Sequence, residues 1–346
     1  MEEKKHVRRV HYSGKYPKKF EEKYKEQNPE KYADTIEHVI SKGSTPAGMH
    51  ISIMVEEILD FLQIKPGQHG LDCTLGYGGH TRRMLEKLEG DGFVVGLDVD
   101  PIESAKTRER LKNAGFSDDN FKFKLINFRN IDKVAEEFGK FDFVLADLGV
   151  SSMQIDNPSR GFSYKIDGPL DLRLDPEHGQ SAAERLHSVT KEEFIGMMEE
   201  NSDEPYAVEI AEKVFREMAK GNPMDTTTLL RQAIENALWK EAKEDPNLVK
   251  KSCARVFQAL RIDVNSELEV LYEFLEKLPK ILNENGRVAI LTFHSGEDRL
   301  VKKSFKELEK NGIYKEVASE VIRPSSEECR INPRSKSTKM RWAIKA

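Results

Sequence analysis

A cluster of glycines between an apolar segment and a charged, helix-like segment constrains this chain more than any other feature. Residues 70–81 read Gly-Leu-Asp-Cys-Thr-Leu-Gly-Tyr-Gly-Gly-His-Thr, and residues 82–88 continue with helical spacing of apolar side chains. The pattern predicts a strand, a tight turn and a helix. Glycines allow such a turn to adopt positive φ and to approach a ligand closely. The segment is therefore typical of a nucleotide-type cofactor site.

The spacing of the glycines favours one class of cofactor. Thr81 occupies the third glycine position of the Gly-x-Gly-x-x-Gly fingerprint, which disfavours a dinucleotide with its pyrophosphate. The next apolar segment ends at Asp98, twenty residues after Gly78, where a carboxylate can accept hydrogen bonds from both hydroxyls of a ribose. A ribose site without a pyrophosphate site points to S-adenosylmethionine. The open alternative is a structural strand-turn-helix unit with an incidental aspartate.

Length and composition predict an ordinary globular protein. The chain has 346 residues, of which 38% are hydrophobic and 33% charged, and it is long enough for two domains. No apolar run approaches the roughly 20 residues that span a bilayer, so we expect a cytoplasmic protein without membrane contact. Cys73, Cys253 and Cys329 are far apart and predict neither a disulfide framework nor a metal site. A net charge of −5 restricts any RNA contact to local basic patches.

Apolar segments of strand length follow the glycine cluster at regular intervals. Residues 121–126 and 141–147 are two of them, and Asp100, which precedes a proline, predicts the cap of a helix before them. Strands that alternate with helices predict a parallel sheet covered on both faces, with ligands at the carboxyl ends of the strands. Phe128 and Asp147 lie at or just past such ends.

The alternation stops between about residues 157 and 252, where the apolar spacing is helical. A long helix is predicted at about 254–282, a fifth strand at 287–293, and two antiparallel edge strands at 314–319 and 340–345. The predicted fold class is therefore α/β, Rossmann-like, with an inserted all-helical subdomain. The predicted units are a basic N-terminal extension and linker at 1–48, the Rossmann-like domain at 49–156 and 253–346, and an inserted helical substrate-recognition subdomain at 157–252.

Further motifs identify a family. The chain resembles the RsmH/MraW family of ribosomal RNA small-subunit methyltransferases over roughly residues 50–346. Besides the glycine loop and Asp98, the matching motifs lie at residues 147–156, 160–164, 167–173, 255–262, 293–299 and 332–334. The resemblance implies a class I S-adenosylmethionine-dependent methyltransferase. It also implies N(4)-methylation of a cytosine in the decoding centre of 16S rRNA, on the small ribosomal subunit.

The resemblance also assigns site residues. Carried over one by one, the family's cofactor contacts fall on Gly78, Gly79, His80, Asp98, Phe128, Asp147 and Gln154. The chain departs from the family in a longer N-terminal segment, in residues 51–54 where His-x-Pro-Val is common, in Tyr77 for a usual glycine and in Gly296 for a usual leucine. By this resemblance the chain is a divergent, long-form member of the family.

The cysteines bear on which cytosine atom is methylated. Methylation at carbon needs a cysteine nucleophile, usually after a proline, and none of the three cysteines follows one. Methylation at nitrogen needs the amine held in line and an acceptor for its hydrogen bond. Asp147 or a neighbouring carbonyl could accept it, but a purely structural or cofactor-orienting Asp147 is an equal alternative. No catalytic base is therefore assigned.

Basic residues near the C-terminus are candidates for RNA contact. The candidates are His294, Arg299, Arg334, Lys336 and Lys339, and the last three belong to a basic strip with Arg330 and Arg341. A structural histidine and a solvated strand edge are the alternatives. Ser295 and Asp298 are interpreted as a capping box.

Predicted partners are 16S rRNA and the small subunit, with a homodimer as an option. Rival functions are an RNA-binding ribosome-assembly factor that retains the fold and an NAD-dependent dehydrogenase.

The N-terminal extension generates a testable prediction. Nine of its first nineteen residues are basic and alternate with aromatic residues, which suits phosphate contact and base stacking, although a solvated tail is the alternative. Deleting residues 1–40 should weaken association with small subunits and flatten the slope of log affinity against log salt. The affinity for S-adenosylmethionine should stay unchanged. Unchanged subunit affinity and slope would show that the extension does not contact RNA.

Overall fold

The computed structural model describes residues 52–346, so the predicted basic extension lies outside the described residues. Seven strands form one sheet in the order β3-β2-β1-β4-β5-β7-β6. All neighbouring strands pair in parallel except β7, which runs antiparallel to both β5 and β6. The strands are β1 His69–Asp72, β2 Phe93–Asp98, β3 Phe121–Leu125, β4 Phe141–Asp147, β5 Leu282–Thr292, β6 Tyr314–Val317 and β7 Lys339–Lys345. This sheet confirms the predicted Rossmann-like α/β fold and its antiparallel edge.

Helices connect the strands and also fill the region between β4 and β5. The helices are α1 Val55–Leu62, α2 Gly79–Leu88, α3 Pro101–Asn113, α4 Ile131–Phe138, α5 Ser152–Asp156, α6 Ala182–Ser188, α7 Lys191–Ser202, α8 Ala207–Ala219, α9 Thr227–Ala237, α10 Leu248–Asn265, α11 Glu267–Ile281, α12 Ser295–Lys310 and α13 Ser326–Ile331. Within residues 52–346, no helix is both long and apolar enough to cross a bilayer.

Three apolar clusters organise the packing. Alternate residues of β4 point to opposite faces of the sheet: Val144 packs with α4, α11 and α12, whereas Phe143 and Leu145 pack with α1, α2 and α3. The buried residues of the third cluster all come from the part of the chain between Phe162 and Leu260. The helical region therefore has a core of its own, and its limits as a subdomain stay a prediction.

The prediction of one long helix at 254–282 is wrong. Two helices, α10 and α11, occupy this segment and meet at Ser266, whose φ of 49° is left-handed. The side chain of Asn265 explains the break, because its amide donates to the carbonyl of Leu172 and its Oδ1 accepts from the backbone N–H of Leu174, at 2.8 and 2.7 Å. Both helices are amphipathic, so the apolar spacing gave no sign of the break.

A buried ion pair joins the sheet to the segment that leads into the helical region. Asp100 is 1% exposed, and its Oδ1 accepts from the backbone N–H groups of Ile102 and Glu103, which confirms the predicted cap of α3. Its Oδ2 accepts from Nη1 of Arg160, 6% exposed, at 2.6 Å. Nη2 of the same guanidinium donates to two backbone carbonyls at residues 173 and 174.

We expect Arg160→Ala to lower the free energy of unfolding by about 3–5 kcal/mol, because it leaves the Asp100 carboxylate buried without its counter-ion. Chemical denaturation of the wild type and the variant measures this loss. The matched control is Lys251→Ala, which breaks an exposed pair with Asp245 at a similar distance of 3.0 Å. The control should change stability little, because exposed pairs are screened by water. Equal losses would contradict a special role for the buried pair.

Candidate active site

The carboxyl ends of the parallel strands bring the predicted cofactor residues to one edge of the sheet. Asp98 ends β2, Asp147 ends β4, and the glycine loop of residues 73–78 leaves β1 at the same edge. β1 lies between β2 and β4, so both acids flank the loop. This is the position at which open parallel sheets bind ligands.

The glycine loop is pressed against α3 and leads into α2. Gly78 has a φ of 81°, and a Cβ there would lie 2.7 Å from Cγ2 of Thr107. The hydroxyl of Thr107 donates to the carbonyl of Gly76 at 2.6 Å and fixes the loop. Helix α2 begins at Gly79, so the N–H groups of its first turn have no partner within the helix. They suit a carboxylate of a bound ligand.

Asp98 is held by the backbone around it. Its Oδ2 accepts from the N–H of Gly76 and its Oδ1 accepts from the N–H of Asp100, both at 2.9 Å. Each carboxylate oxygen keeps a further lone pair, as the two hydroxyls of a ribose require. Burial raises the pKa of Asp98 to about 6. The carboxylate is thus oriented and ionised at neutral pH.

Asp147 and His80 face each other across the loop. Nδ1 of His80 lies 3.6 Å from Oδ2 of Asp147. The backbone N–H of Asp147 donates to the hydroxyl of Thr74 at 2.7 Å, whereas its Oδ1 is buried and has no hydrogen-bond partner within residues 52–346. Burial raises the pKa of Asp147 to about 6, and the charge of His80 acts in the opposite direction. An unpartnered buried acceptor of this kind is suited to a ligand's N–H group or cation.

Asp72 is a third buried acid at this edge, and sequence reasoning gave it no site role. Its Oδ2 accepts from the hydroxyl of Thr81 at 2.6 Å, and its Oδ1 accepts from the backbone N–H of Thr74 at 3.1 Å. Burial raises its pKa. Its position at the end of β1 was the signal that could have identified it. Together, Asp72, Asp98 and Asp147 fit a cofactor that carries a ribose and a positive charge, as S-adenosylmethionine does.

The two remaining predicted cofactor residues, Phe128 and Gln154, contact other side chains of the protein. Phe128 packs edge-on against Phe274, with ring centroids 5.2 Å apart. The amide of Gln154 donates to Oδ2 of Asp100 at 2.9 Å and accepts from the backbone N–H of Ser151. Gln154 therefore supports the cap of α3, and its contact with a cofactor stays a prediction. The sequence did not reveal the contacts of Asp100 with Gln154 and Arg160, because Asp100 and Arg160 are sixty residues apart.

The proposed capping box of Ser295 and Asp298 is wrong. The N-cap of α12 is His294, and Glu297 accepts from the backbone N–H of Phe293 at 2.8 Å. Asp298 instead accepts from side chains of β7, as described below. Nε2 of His294 lies 3.1 Å from Oε1 of Glu297, which places this histidine beside a buried carboxylate.

Most cations of the predicted basic strip have acidic partners. Lys339 and Arg341 both donate to Asp298, at 2.8 and 2.6 Å, because Asp298 projects from α12 toward β7. Arg334 pairs with Asp156 at 2.8 Å. Lys336 and Arg299 are exposed and have no ion pair among residues 52–346. A role in RNA contact stays a prediction for these residues and for His294.

Within residues 52–346, one group of side chains has ligand atoms close enough to hold a metal ion. Ligand atoms of Glu267, His294 and Glu297 lie within 4.8 Å of one another. The guanidinium of Arg261 donates two hydrogen bonds to Glu267, at 2.8 and 2.9 Å. A cation already balances Glu267, so the cluster has a sufficient explanation as an ion-pair network. The prediction that the chain needs no metal stays a prediction.

We expect the affinity for S-adenosylmethionine to fall as the pH falls below about 6. The Asp98 carboxyl then gains a proton and loses acceptor capacity, with a slope of about tenfold per pH unit at most, since one proton competes with the ligand. Above this pH the affinity should be flat. Calorimetric titrations at several pH values measure the profile. If Asp98→Asn keeps the same pH dependence, another group, such as Asp147, is responsible.

Comparison with known proteins assigns the family. The MraW methylase family matches residues 47–346. Ribosomal RNA small subunit methyltransferase H 1 of Agathobacter rectalis is 66% identical over 346 residues, covering 100% of this chain and 99% of the relative. Methyltransferase H 2 of Alkaliphilus metalliredigens is 58% identical over 347 residues, covering 99% of each chain. Methyltransferase H of Clostridium botulinum is 38% identical over 309 residues, covering 84% of this chain and 97% of the relative.

The family match spans most of the chain, and the three relatives cover at least 84% of it. The glycine turn and Asp98, described above at the cofactor edge of the sheet, lie within the matched residues. The chain therefore belongs to the MraW methylase family and is an S-adenosylmethionine-dependent methyltransferase.

Proposed function

We propose that this methyltransferase acts on the exocyclic amine, N(4), of a cytosine in the decoding centre of 16S rRNA, on the small ribosomal subunit. The relatives that cover the whole chain are named ribosomal RNA small subunit methyltransferases, which supports this substrate. The motifs at residues 147–156 and 293–299 belong to the same family pattern. We also infer a cytoplasmic protein, because the proposed substrate is found there.

The state of Cys73 supports methylation at nitrogen rather than carbon. Cys73 is the cysteine of the glycine loop and is buried, and burial raises its pKa well above the usual range. A thiol in this state is a poor nucleophile, because the thiolate is the reactive form. Burial also raises the pKa of Cys253 to about 12, and this residue lies in the core of the helical region. Neither thiol suits attack on a cytosine ring.

Asp147 is the residue of this chain best placed to assist the reaction. S-adenosylmethionine, when bound, supplies a methyl group on a positively charged sulfur. The target amine must then be held by an acceptor that strengthens as positive charge develops on nitrogen. The side chain of Asp147 is 26% exposed at the cofactor edge, and its Oδ1 has no hydrogen-bond partner within the described residues. This orphaned acceptor is the observation that carries the proposed role for Asp147.

We propose that the exposed cations and the helical region contact the RNA. Lys336 and Arg299 are exposed without an ion pair in the described part of the chain, so their charge is available to phosphates. Arg334 and Lys339 would have to exchange a carboxylate partner for a phosphate. We therefore expect Lys336 and Arg299 to contribute more to RNA affinity than the paired cations.

Cofactor binding distinguishes the proposed function from its two rivals. An RNA-binding assembly factor that retains the fold would bind subunits without a need for S-adenosylmethionine. A dehydrogenase would bind NAD, and membership of a methylase family disfavours it. Calorimetric titration of the protein with each cofactor discriminates these alternatives.

We expect a strain that lacks the gene to lose one methyl group from a single cytosine of 16S rRNA, as measured by mass spectrometry of the rRNA. The wild-type gene should restore it, and Asp98→Ala should not. The variant loses a charged acceptor whose hydrogen bonds are each worth about 1.5–3 kcal/mol, so the affinity for S-adenosylmethionine should fall at least about tenfold.

Asp91→Ala is the matched control, because Asp91 is an exposed acid just before the opposite end of β2. It should restore the methyl group fully. An rRNA that is identical with and without the gene would refute the proposed substrate. An unchanged cofactor affinity in Asp98→Ala would refute the role of Asp98 alone.

A further inference from the structure

The acids of the cofactor edge project from one face of the sheet. Leu145 of β4 and Val94 of β2 both pack in the apolar cluster that includes α1, α2 and α3. Alternate residues of a strand point to the same face. Asp147 and Asp98 end these strands at even spacing from the two apolar residues, so their side chains lie on that face as well.

The strand order leaves one side of Asp147 open to a substrate. Across this edge the strands follow in the order β2, β1, β4 and β5. The acids proposed for the cofactor end β2, β1 and β4, so a cofactor held by them lies over these three strands. The neighbour of Asp147 on the other side is the end of β5, where Phe293 follows the strand. A target base that approaches Asp147 from the side away from the cofactor therefore lies over the end of β5.

Phe293 shares the face of Asp147 and lies close to it. Asp147 is aligned with Leu291 of β5, and Leu291 packs in the same apolar cluster as Leu145. Phe293 is two residues beyond Leu291, which directs its side chain to this face. A strand spacing of about 4.8 Å and a rise of about 3.3 Å per residue put the Cα atoms of Asp147 and Phe293 about 8 Å apart. A pyrimidine ring stacked on Phe293 can therefore extend its exocyclic amine toward Asp147.

The ring of Phe293 is held in place without being fully covered. Its backbone N–H donates to Oε2 of Glu297 at 2.8 Å, and Glu297 is only 3% exposed. A Cβ on Gly149 would lie 3.7 Å from Cδ2 of Phe293, so the backbone after Asp147 runs beside the ring. The ring packs against the apolar cluster of this face and stays only partly buried. The next side chain, His294, is directed toward Glu297, with 3.1 Å between Nε2 and Oε1.

A rigid, partly exposed aromatic ring beside the proposed amine acceptor suits a nucleic-acid base. An enzyme that modifies a base must reach it outside its stack, and aromatic side chains replace part of the stacking that the base loses. Stacking covers the face of a base and leaves its edge free, and the exocyclic amine of cytosine lies on that edge. We propose that the target cytosine stacks on the ring of Phe293 with its amine directed toward Asp147. The inference rests on the proposed function for the identity of the base.

The test measures turnover of full-length variants on small subunits from a strain that lacks the gene. Phe293→Leu removes the ring but keeps an apolar side chain, and kcat should fall at least about fivefold, or 1 kcal/mol, the lower end of what a stacked base contributes. Phe293→Tyr keeps the ring and should retain at least about half of kcat, because stacking tolerates a change of ring substituent. The KM for subunits and the affinity for S-adenosylmethionine should change less than about threefold in both variants, because remote contacts dominate docking.

Phe116→Leu is the matched control. Phe116 packs against the same apolar cluster and is also partly buried, but it precedes β3 and so lies at the opposite edge of the sheet. It should keep the wild-type kcat. An equal loss of kcat in Phe116→Leu would assign the effect to core packing and overturn the proposal. Equal losses in Phe293→Leu and Phe293→Tyr, or an unchanged kcat in folded Phe293→Leu, would also overturn it.

A crosslinking measurement on the wild type decides the case if Phe293→Leu does not fold. Small subunits whose 16S rRNA carries 5-iodocytidine are irradiated with the protein, which joins the base to an aromatic ring stacked on it. Mass spectrometry should place a crosslink at Phe293, and a set of crosslinks without Phe293 would overturn the proposal. A wild-type protein without activity on these unmethylated subunits would refute the proposed function and the stacked cytosine with it. An active wild type with an equally active Phe293→Leu would refute the role of Phe293 alone.

Discussion

One desolvated carboxylate, that of Asp100, fixes the relative positions of the main parts of the site. It caps α3, accepts from Gln154 and pairs with Arg160, while its own backbone N–H orients Asp98. A buried charge is tolerated only when such partners are complete. The cofactor acid, the helix behind the glycine loop and the segment that enters the helical region therefore depend on one another. Loss of any one partner should disturb the others.

The acids at the cofactor edge share a second constraint. Asp72, Asp98 and Asp147 are each harder to ionise than a free aspartate, since burial opposes their charge. A positively charged ligand relieves this cost, whereas a neutral one does not. The cationic sulfonium of S-adenosylmethionine thus matches the electrostatic character of the edge. After methyl transfer the sulfur is neutral, and the match is weaker.

Local patterns in the sequence were sufficient for the strands, the glycine turn and the cap of α3, but not for the cap of α12. Asp100, which precedes a proline, caps a helix that begins at the next residue, so its role as a cap can be predicted from its neighbours in the sequence. The break at Ser266 and the pairing of Lys339 with Asp298 depend on residues that are distant in sequence. The spacing of residues along the sequence does not show which acid forms an ion pair with which cation. The basic strip was therefore predicted as a set of available charges, although the fold neutralises much of it.

The shared use of Asp298 by Lys339 and Arg341 has a consequence for how the sheet is assembled. The two cations are two positions apart on β7, so they lie on one face and pair with Thr292 and Ile290 of β5. A slip of β7 by one residue would turn both cations to the opposite face and send Met340 in their place. Asp298 would then lose both partners at once. The carboxylate of Asp298 thus favours one register of the last strand, because alternative alignments of the antiparallel edge would lose both ion pairs.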